Sequence, residues 1–225
     1  MELKLNKTID HTILKTFAQT EHIEKLCADA KEYDFASVCV NPYNIPLAKK
    51  LLSGTDVKVC TVIGFPLGAN TTRIKVAETE DAYEMGCDEF DMVINVGALK
   101  DGKYDYVRDE ISAVVKAAKG RLVKVIIETF FLTDEEKIKA VELSCEAGAG
   151  FVKTCTGFNE GVATVHDIEL MRKTADASVK VKASSGIRSY KDAKALIDAG
   201  AERLGTSSGA KILAEAEECG EFRRE

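Results

Sequence analysis

Apolar residues along this chain gather in short runs, and each run leads into a longer stretch where they recur at helical spacing. Ile9-Asp-His-Thr-Ile-Leu14 opens the series as a strand. Thr20 then begins a helix whose apolar positions, Ile23, Leu26, Cys27 and Ala30, fall on one face. Phe35-Ala-Ser-Val-Cys-Val-Asn41 is a second strand, stopped by Pro42, and a helix over Pro46 to Leu52 follows. Val57 to Ile63 is the third strand, and its helix runs from about Thr71 to Met85 and is closed by Gly86. Glu89 to Asn95 and Leu122 to Glu128 are the fourth and fifth strands, separated by a helix from Tyr104 to Lys119. Thr133-Asp-Glu-Glu136 is a capping box that opens the next helix, which closes near Gly148. Gly150 to Phe158 and Val179 to Arg188 hold the sixth and seventh strands. Helices with acidic first turns follow them at Thr164 to Asp167 and Ser189 to Asp192. Glu202 to Ser207 is the eighth strand, leading into a last helix through Ala214.

Strands alternating with helices specify a parallel sheet with right-handed crossovers. No linker, low-complexity tract or composition break interrupts the eight units, and no G-x-G-x-x-G turn follows the first strand. Eight units in 225 residues favour an α/β fold closed into a (β/α)8 TIM barrel over an open doubly wound sheet. The expectation is one domain over residues 1–225.

Composition narrows the function. Hydrophobic residues make up 45% and charged residues 30%, as in a soluble globular protein with a sizeable core. A net charge of −6, with both signs interspersed, argues against a nucleic-acid or anionic-membrane surface. No apolar run approaches membrane-spanning length, and Met1 to Lys7 lack the apolar core of a signal peptide. Seven cysteines without a Cys-x-x-Cys, mostly within apolar stretches, read as reduced thiols in the cytoplasm. His11, His22 and His166 have no paired ligand spacing, so neither a metal nor a cofactor is predicted.

The candidate chemistry sits at strand ends, where such barrels carry their active sites. Lys153 shares a strand face with Phe151 and Cys155; Lys180 and Lys182 share one on the next strand. A lysine inside an apolar strand must find a partner or surrender its charge, and a neutral amine attacks carbonyls. The plainer reading has both lysines snorkelling to solvent. Asp91 and Asn95 share a face on the fourth strand, and Lys124 and Glu128 on the fifth. Lys124 and Glu128 read as structural partners, whereas Asp91, Lys153 and Lys182 read as functional. Ser184-Ser-Gly-Ile-Arg188 and Gly205-Thr-Ser-Ser-Gly209 occupy the usual phosphate-cradle positions, although turn and helix-cap chemistry uses the same residues. Cys39 and Cys155 read as bystanders near the pocket, and His11 as a hydrogen-bonded structural histidine.

Several motifs, in order over nearly the whole chain, resemble the deoxyribose-phosphate aldolase family. They are Asp10-His-Thr-Ile-Leu-Lys15, Val38-Cys-Val-Asn-Pro42, Val62-Ile-Gly-Phe-Pro-Leu-Gly68, Glu89-Phe-Asp-Met-Val-Ile-Asn-Val-Gly97, Lys124-Val-Ile-Ile-Glu-Thr129, Phe151 to Phe158 and Val181 to Arg188. The resemblance implies a metal-independent class I aldolase on a (β/α)8 barrel. Such an enzyme cleaves 2-deoxy-D-ribose 5-phosphate to D-glyceraldehyde 3-phosphate and acetaldehyde. It implies Lys153 as the Schiff-base nucleophile, with Lys182 keeping it neutral and sharing proton transfer with Asp91, through water, while the C3–C4 bond breaks. It further implies phosphate or substrate contacts at Gly157, Ser185, Gly186, Arg188, Gly205, Ser207 and Ser208. The partners implied are therefore the phosphosugar and acetaldehyde, and a homo-oligomer is compatible with the family.

Three positions depart from the family pattern. Cys155 replaces a usual Ser, and the tail Cys219 to Glu225 lacks a terminal Tyr. Ser185 replaces a common Gly, where a side chain is expected to clash with phosphate or force a changed φ. On that expectation Ser185→Gly lowers KM for the phosphorylated substrate. Two alternatives stay open: another Schiff-base aldolase for a different phosphorylated sugar, and a non-catalytic phosphosugar-binding barrel.

Overall fold

The computed structural model describes residues 4–223. Met1 to Leu3 of the amino-terminal reading, and Arg224 and Glu225 of the tail reading, lie outside the described residues. Eight strands form the barrel: β1 (Ile9–Ile13), β2 (Ser37–Val40), β3 (Lys58–Ile63), β4 (Glu89–Val93), β5 (Leu122–Ile126), β6 (Phe151–Lys153), β7 (Lys180–Ser184) and β8 (Arg203–Thr206). They pair in sequence order, all parallel, and β8 closes on β1. The helices are α1 (Thr20–Glu32), α2 (Ile45–Leu51), α3 (Thr72–Glu84), α4 (Val96–Lys100), α5 (Tyr104–Ala117), α6 (Asp134–Glu146), α7 (Val165–Thr174), α8 (Tyr190–Asp198) and α9 (Gly209–Glu218).

Strand alternation divides the labour between the two faces of the barrel wall. Val38, Val59, Phe90, Val125, Val152, Val181 and Leu204 face outward into one apolar cluster with Ile23, Ile111, Met171 and Leu196 of the helices. The intervening positions face inward, and seven of them are charged: Asp10, Glu89, Asp91, Lys124, Lys153, Lys182 and Arg203. Leu14, Cys39, Cys60 and Val62, with Phe65 packed on them, form a small separate apolar cluster. This wall is what holds an ionic interior in place.

Helix starts follow the capping residues. Thr133 with Glu136 and Ser189 with Asp192 form reciprocal boxes, and the Thr164 hydroxyl accepts from the Asp167 amide. Two expected strands end early. β4 stops at Val93 because the Asn95 side chain instead caps α4, its oxygen accepting from the Ala98 amide at 3.0 Å. β5 stops at Ile126, and Glu128 turns into the left-handed region at φ 57°. α9 runs beyond Ala214 to Glu218, since Leu213 and Ala216 continue its buried stripe. Among the described residues no helix is long and apolar enough to cross a membrane.

Candidate active site

Strand register brings the two lysines together. Lys153, the last residue of β6, lies directly beside Lys182 in the middle of β7. Two strands away, Asp91 pairs in register with Lys124 of β5. All four side chains point inward and meet at one carboxylate. Asp91 Oδ2 accepts from Lys153 Nζ at 2.9 Å and from Lys182 Nζ at 2.7 Å, while its Oδ1 accepts from Lys124 Nζ at 2.9 Å. Lys153 is 3% exposed and the other three are fully buried, so neither lysine snorkels to solvent.

Beneath this cluster lies a second ionic layer. Lys182 Nζ also contacts Asp10 Oδ2 at 2.5 Å, and Lys124 Nζ contacts Glu89 Oε2 at 2.7 Å. Arg203 of β8 spans the floor, its Nε donating to Asp10 Oδ1 at 2.7 Å and its Nη2 to Glu89 Oε2 at 2.9 Å. Ser37 adds a hydroxyl donor to Asp10 at 2.7 Å. Burial by itself would raise the Asp91 pKa, but Lys124, Lys153 and Lys182 hold it well below the usual carboxylate range. Asp10 behaves likewise, with Arg203, Lys182 and Lys124 overcoming burial. Conversely, burial opposes the charge on Lys182, yet Asp10 and Asp91 raise its pKa above the ordinary lysine value. Lys124 is raised as well, Asp91 and Glu89 among the groups that overcome its burial. Close packing lets Lys182 thread this layer: a methyl on Gly205 would stand 3.2 Å from Lys182 Cε.

A cavity of about 610 Å³ opens at the carboxyl ends of the strands, where Ser184 and Gly205 line it and Lys153, Lys182 and Asp91 do not. Its lining includes Gly157, Ser185, Gly186, Arg188, Gly205 and Ser207, six of the seven residues expected to touch phosphate or substrate. Ser208 is not among the lining residues; it precedes α9, and its amide donates to Thr206 Oγ1 at 2.9 Å. Ser185 does adopt a left-handed backbone, φ 82°, but its hydroxyl turns to the Gly161 carbonyl at 2.7 Å. The changed φ expected there is present, and the hydroxyl ties two loops together. Ser185→Gly should therefore alter stability by less than about 1 kcal/mol, because backbone relief and the lost bond oppose each other. Urea unfolding measures this, and a loss beyond about 2 kcal/mol would mean the Gly161 bond dominates.

The proposed pairing of Lys124 with Glu128 is corrected. Lys124 points to Asp91 and Glu89 inside the barrel, whereas Glu128, beyond the strand end, accepts from Thr156 and Asn159. Asn95 likewise leaves the shared face with Asp91, since the chain has already turned into α4. Asp10, Glu89 and Arg203 were missed, although each occupies an inward position by strand alternation. Cys39 and Cys60 are register partners, and with Asp91 they bring three ligand atoms within 4.8 Å of one another. Three ammonium groups already crowd that carboxylate, so the set suits an ion network better than a dication. The Cys60 thiol donates to Asp91 Oδ1 at 3.2 Å. Burial pushes the Cys155 thiol up, beside Thr129. His11 is buried against Phe35, with Asp29 3.6 Å from its Nε2, and burial lowers its pKa.

A parallel (β/α)8 barrel with a buried amine–carboxylate centre and a cavity at the strand ends fits a barrel lyase. The chain belongs to the DeoC/LacD family of aldolases, whose family model matches residues 5–215. A deoxyribose-phosphate aldolase of Streptococcus suis (strain 98HAH33) is 60% identical over 220 residues, covering 98% of this chain and 100% of that protein. One of Clostridium tetani (strain Massachusetts / E88) is 59% identical over 215 residues, covering 95% and 100%. Among solved structures, an aldolase designated QR15 superposes with a TM-score of 0.90 at 43% identity, covering 97% of this chain and 96% of that one. The deoxyribose phosphate aldolase of Aeropyrum pernix, described as having a unique tetrameric structure, gives 0.87 at 35% identity, covering 96% and 92%.

Proposed function

We propose that this chain is a class I aldolase that reversibly cleaves 2-deoxy-D-ribose 5-phosphate to D-glyceraldehyde 3-phosphate and acetaldehyde, with residues 1–225 acting as one catalytic domain. The observation that carries the reading is the sharing of Asp91 Oδ2 by Lys153 and Lys182. Charge counting supports Lys153 as the nucleophile. Asp10, Glu89 and Asp91 already balance Arg203, Lys124 and Lys182, so the cluster does not need a charge on Lys153, the amine that imine chemistry would use. Lys153 is also the more accessible of the two, 3% exposed where Lys182 is fully buried.

In the reaction, the Lys153 amine adds to the C1 aldehyde and water leaves, giving a protonated imine. The bond that breaks is C2–C3. The C3–C4 assignment drawn from the resemblance fails on carbon count, because acetaldehyde carries only C1 and C2. As C3–O becomes a carbonyl and loses its proton, the C2–C3 electron pair flows into the imine and leaves an enamine. Protonation at C2 and hydrolysis then release acetaldehyde and restore Lys153. Asp91 and Lys182, through water, are placed to move these protons. Gly157, Gly186 and Arg188 would hold the phosphate, with Ser185, Gly205, Ser207 and Ser208 in the same cradle, so binding far from C1 orients the reacting carbons.

A homo-oligomer accords with the tetrameric relative from Aeropyrum pernix. A cytoplasmic location accords with the free cysteines.

The test is sodium borohydride trapping with acetaldehyde and with deoxyribose 5-phosphate, followed by peptide mass mapping. A reduced two-carbon adduct on Lys153 from both substrates is the expected result. An adduct from the sugar phosphate alone would indicate another donor, and no adduct would overturn the aldolase reading.

A further inference from the structure

Four described residues other than glycine adopt a positive φ: Asp34, Lys119, Glu128 and Ser185. Asp34 and Lys119 follow directly on the C-caps of α1 and α5, where left-handed residues commonly end helices. Glu128 and Ser185 end no helix. They flank a single loop, the one that leaves Lys153 at the end of β6 and reaches α7.

Glu128 holds the start of that loop. Its Oε1 accepts from the Thr156 amide at 2.8 Å, and its Oε2 accepts from Thr156 Oγ1 at 2.7 Å and Asn159 Nδ2 at 2.6 Å. Thr156 Oγ1 in turn accepts from the Phe158 amide at 3.2 Å, which closes the turn around Gly157. Ser185 holds the far end, where its hydroxyl binds the Gly161 carbonyl and its own carbonyl accepts from the Ala163 amide at 3.1 Å. Thr156, Gly157 and Phe158 all line the cavity. Glu128 is 3% exposed, and its carboxylate binds Thr156 and Asn159. Its unfavoured backbone swings the carboxylate out of β5 and across to this turn, a conformation that persists only where surrounding contacts determine it.

We propose that Glu128 is a positioning residue for substrate binding, acting by fixing the Thr156–Asn159 turn so that the Gly157 amide faces the phosphate end of the cavity. This rests on the aldolase reading given above. A glutamine at this position keeps the shape but loses the charge that strengthens all three bonds, and its single carbonyl oxygen cannot accept at every arm of the clamp at once. Glu128→Gln is expected to raise KM for deoxyribose 5-phosphate by about tenfold or more relative to any change in kcat. The rate of acetaldehyde trapping on Lys153, which involves no phosphate, should fall far less than kcat/KM for the sugar phosphate. Asn159→Ala, which removes one arm from an exposed position, should move KM in the same direction by a smaller factor, and it serves if Glu128→Gln does not fold. Equal losses in trapping and in kcat/KM would assign Glu128 to general structure and overturn the proposal. So would an unchanged KM in both variants while the parent protein still traps acetaldehyde. A parent protein that traps no acetaldehyde would instead overturn the aldolase reading, and the positioning role with it.

Discussion

Lys153→Ala is expected to reduce aldol cleavage by at least about 10⁴-fold, since it removes the atom that forms the covalent intermediate. The barrel should nevertheless fold. Removing Lys153 leaves Asp91 still bound by Lys124 at 2.9 Å and by Lys182 at 2.7 Å, so no buried carboxylate is stranded. The remaining charges are Arg203, Lys124 and Lys182 against Asp10, Glu89 and Asp91, a balanced set. The variant thus separates chemistry from architecture more cleanly than a change at either of the other lysines. Lys182 and Lys124 each serve two carboxylates in the closest contacts, and their removal would loosen the floor. The measurement is a cleavage assay on the purified variant with its circular dichroism and urea midpoint compared with the parent. Normal turnover would remove Lys153 from the imine role. Lost turnover together with a collapsed midpoint would show instead that its ammonium is part of the framework.

The sequence made the barrel legible because each strand is short, apolar on its outer face and punctuated by a helix cap. The same alternation placed Lys153, Lys182 and Asp91 on inward faces, and register did the rest. What alternation cannot report is where a strand stops. It assigned Asn95 and Glu128 to the pocket faces of β4 and β5, yet both lie past the last paired residue, one capping α4 and one in a left-handed turn. Nor does a linear reading show that Asp10, Glu89 and Arg203 converge, because they come from β1, β4 and β8 and meet only when the barrel closes. An inward reading of Glu89 and Arg203 was available: each stands two positions before an inward residue, Asp91 and Gly205. The ledger of charges, three carboxylates against four cations, becomes visible only with that third dimension.

Asp91→Asn is the second change expected to have a large effect, and it acts on both stability and rate. The amide is the same shape but carries no charge, so the cluster moves from four cations against three carboxylates to four against two. Lys124 keeps Glu89 and Lys182 keeps Asp10, but Lys153 loses its ionic partner in the cluster. Breaking a buried ion set in this way costs about 3–5 kcal/mol. Turnover should fall by about 10²–10⁴-fold if Asp91 handles protons. Those two losses have different cures. Adding Lys124→Met to Asp91→Asn removes one cation and restores the original excess, and Glu89 remains held by Arg203 at 2.9 Å. The double variant should therefore regain a large part of the stability, a coupling that urea unfolding of the two single variants and the pair would quantify. Turnover should stay low, because no carboxylate stands between Lys153 and Lys182. If activity returned along with stability, Asp91 would be an electrostatic support for the lysines rather than a group that moves protons, and Lys182 with water would have to carry that step alone.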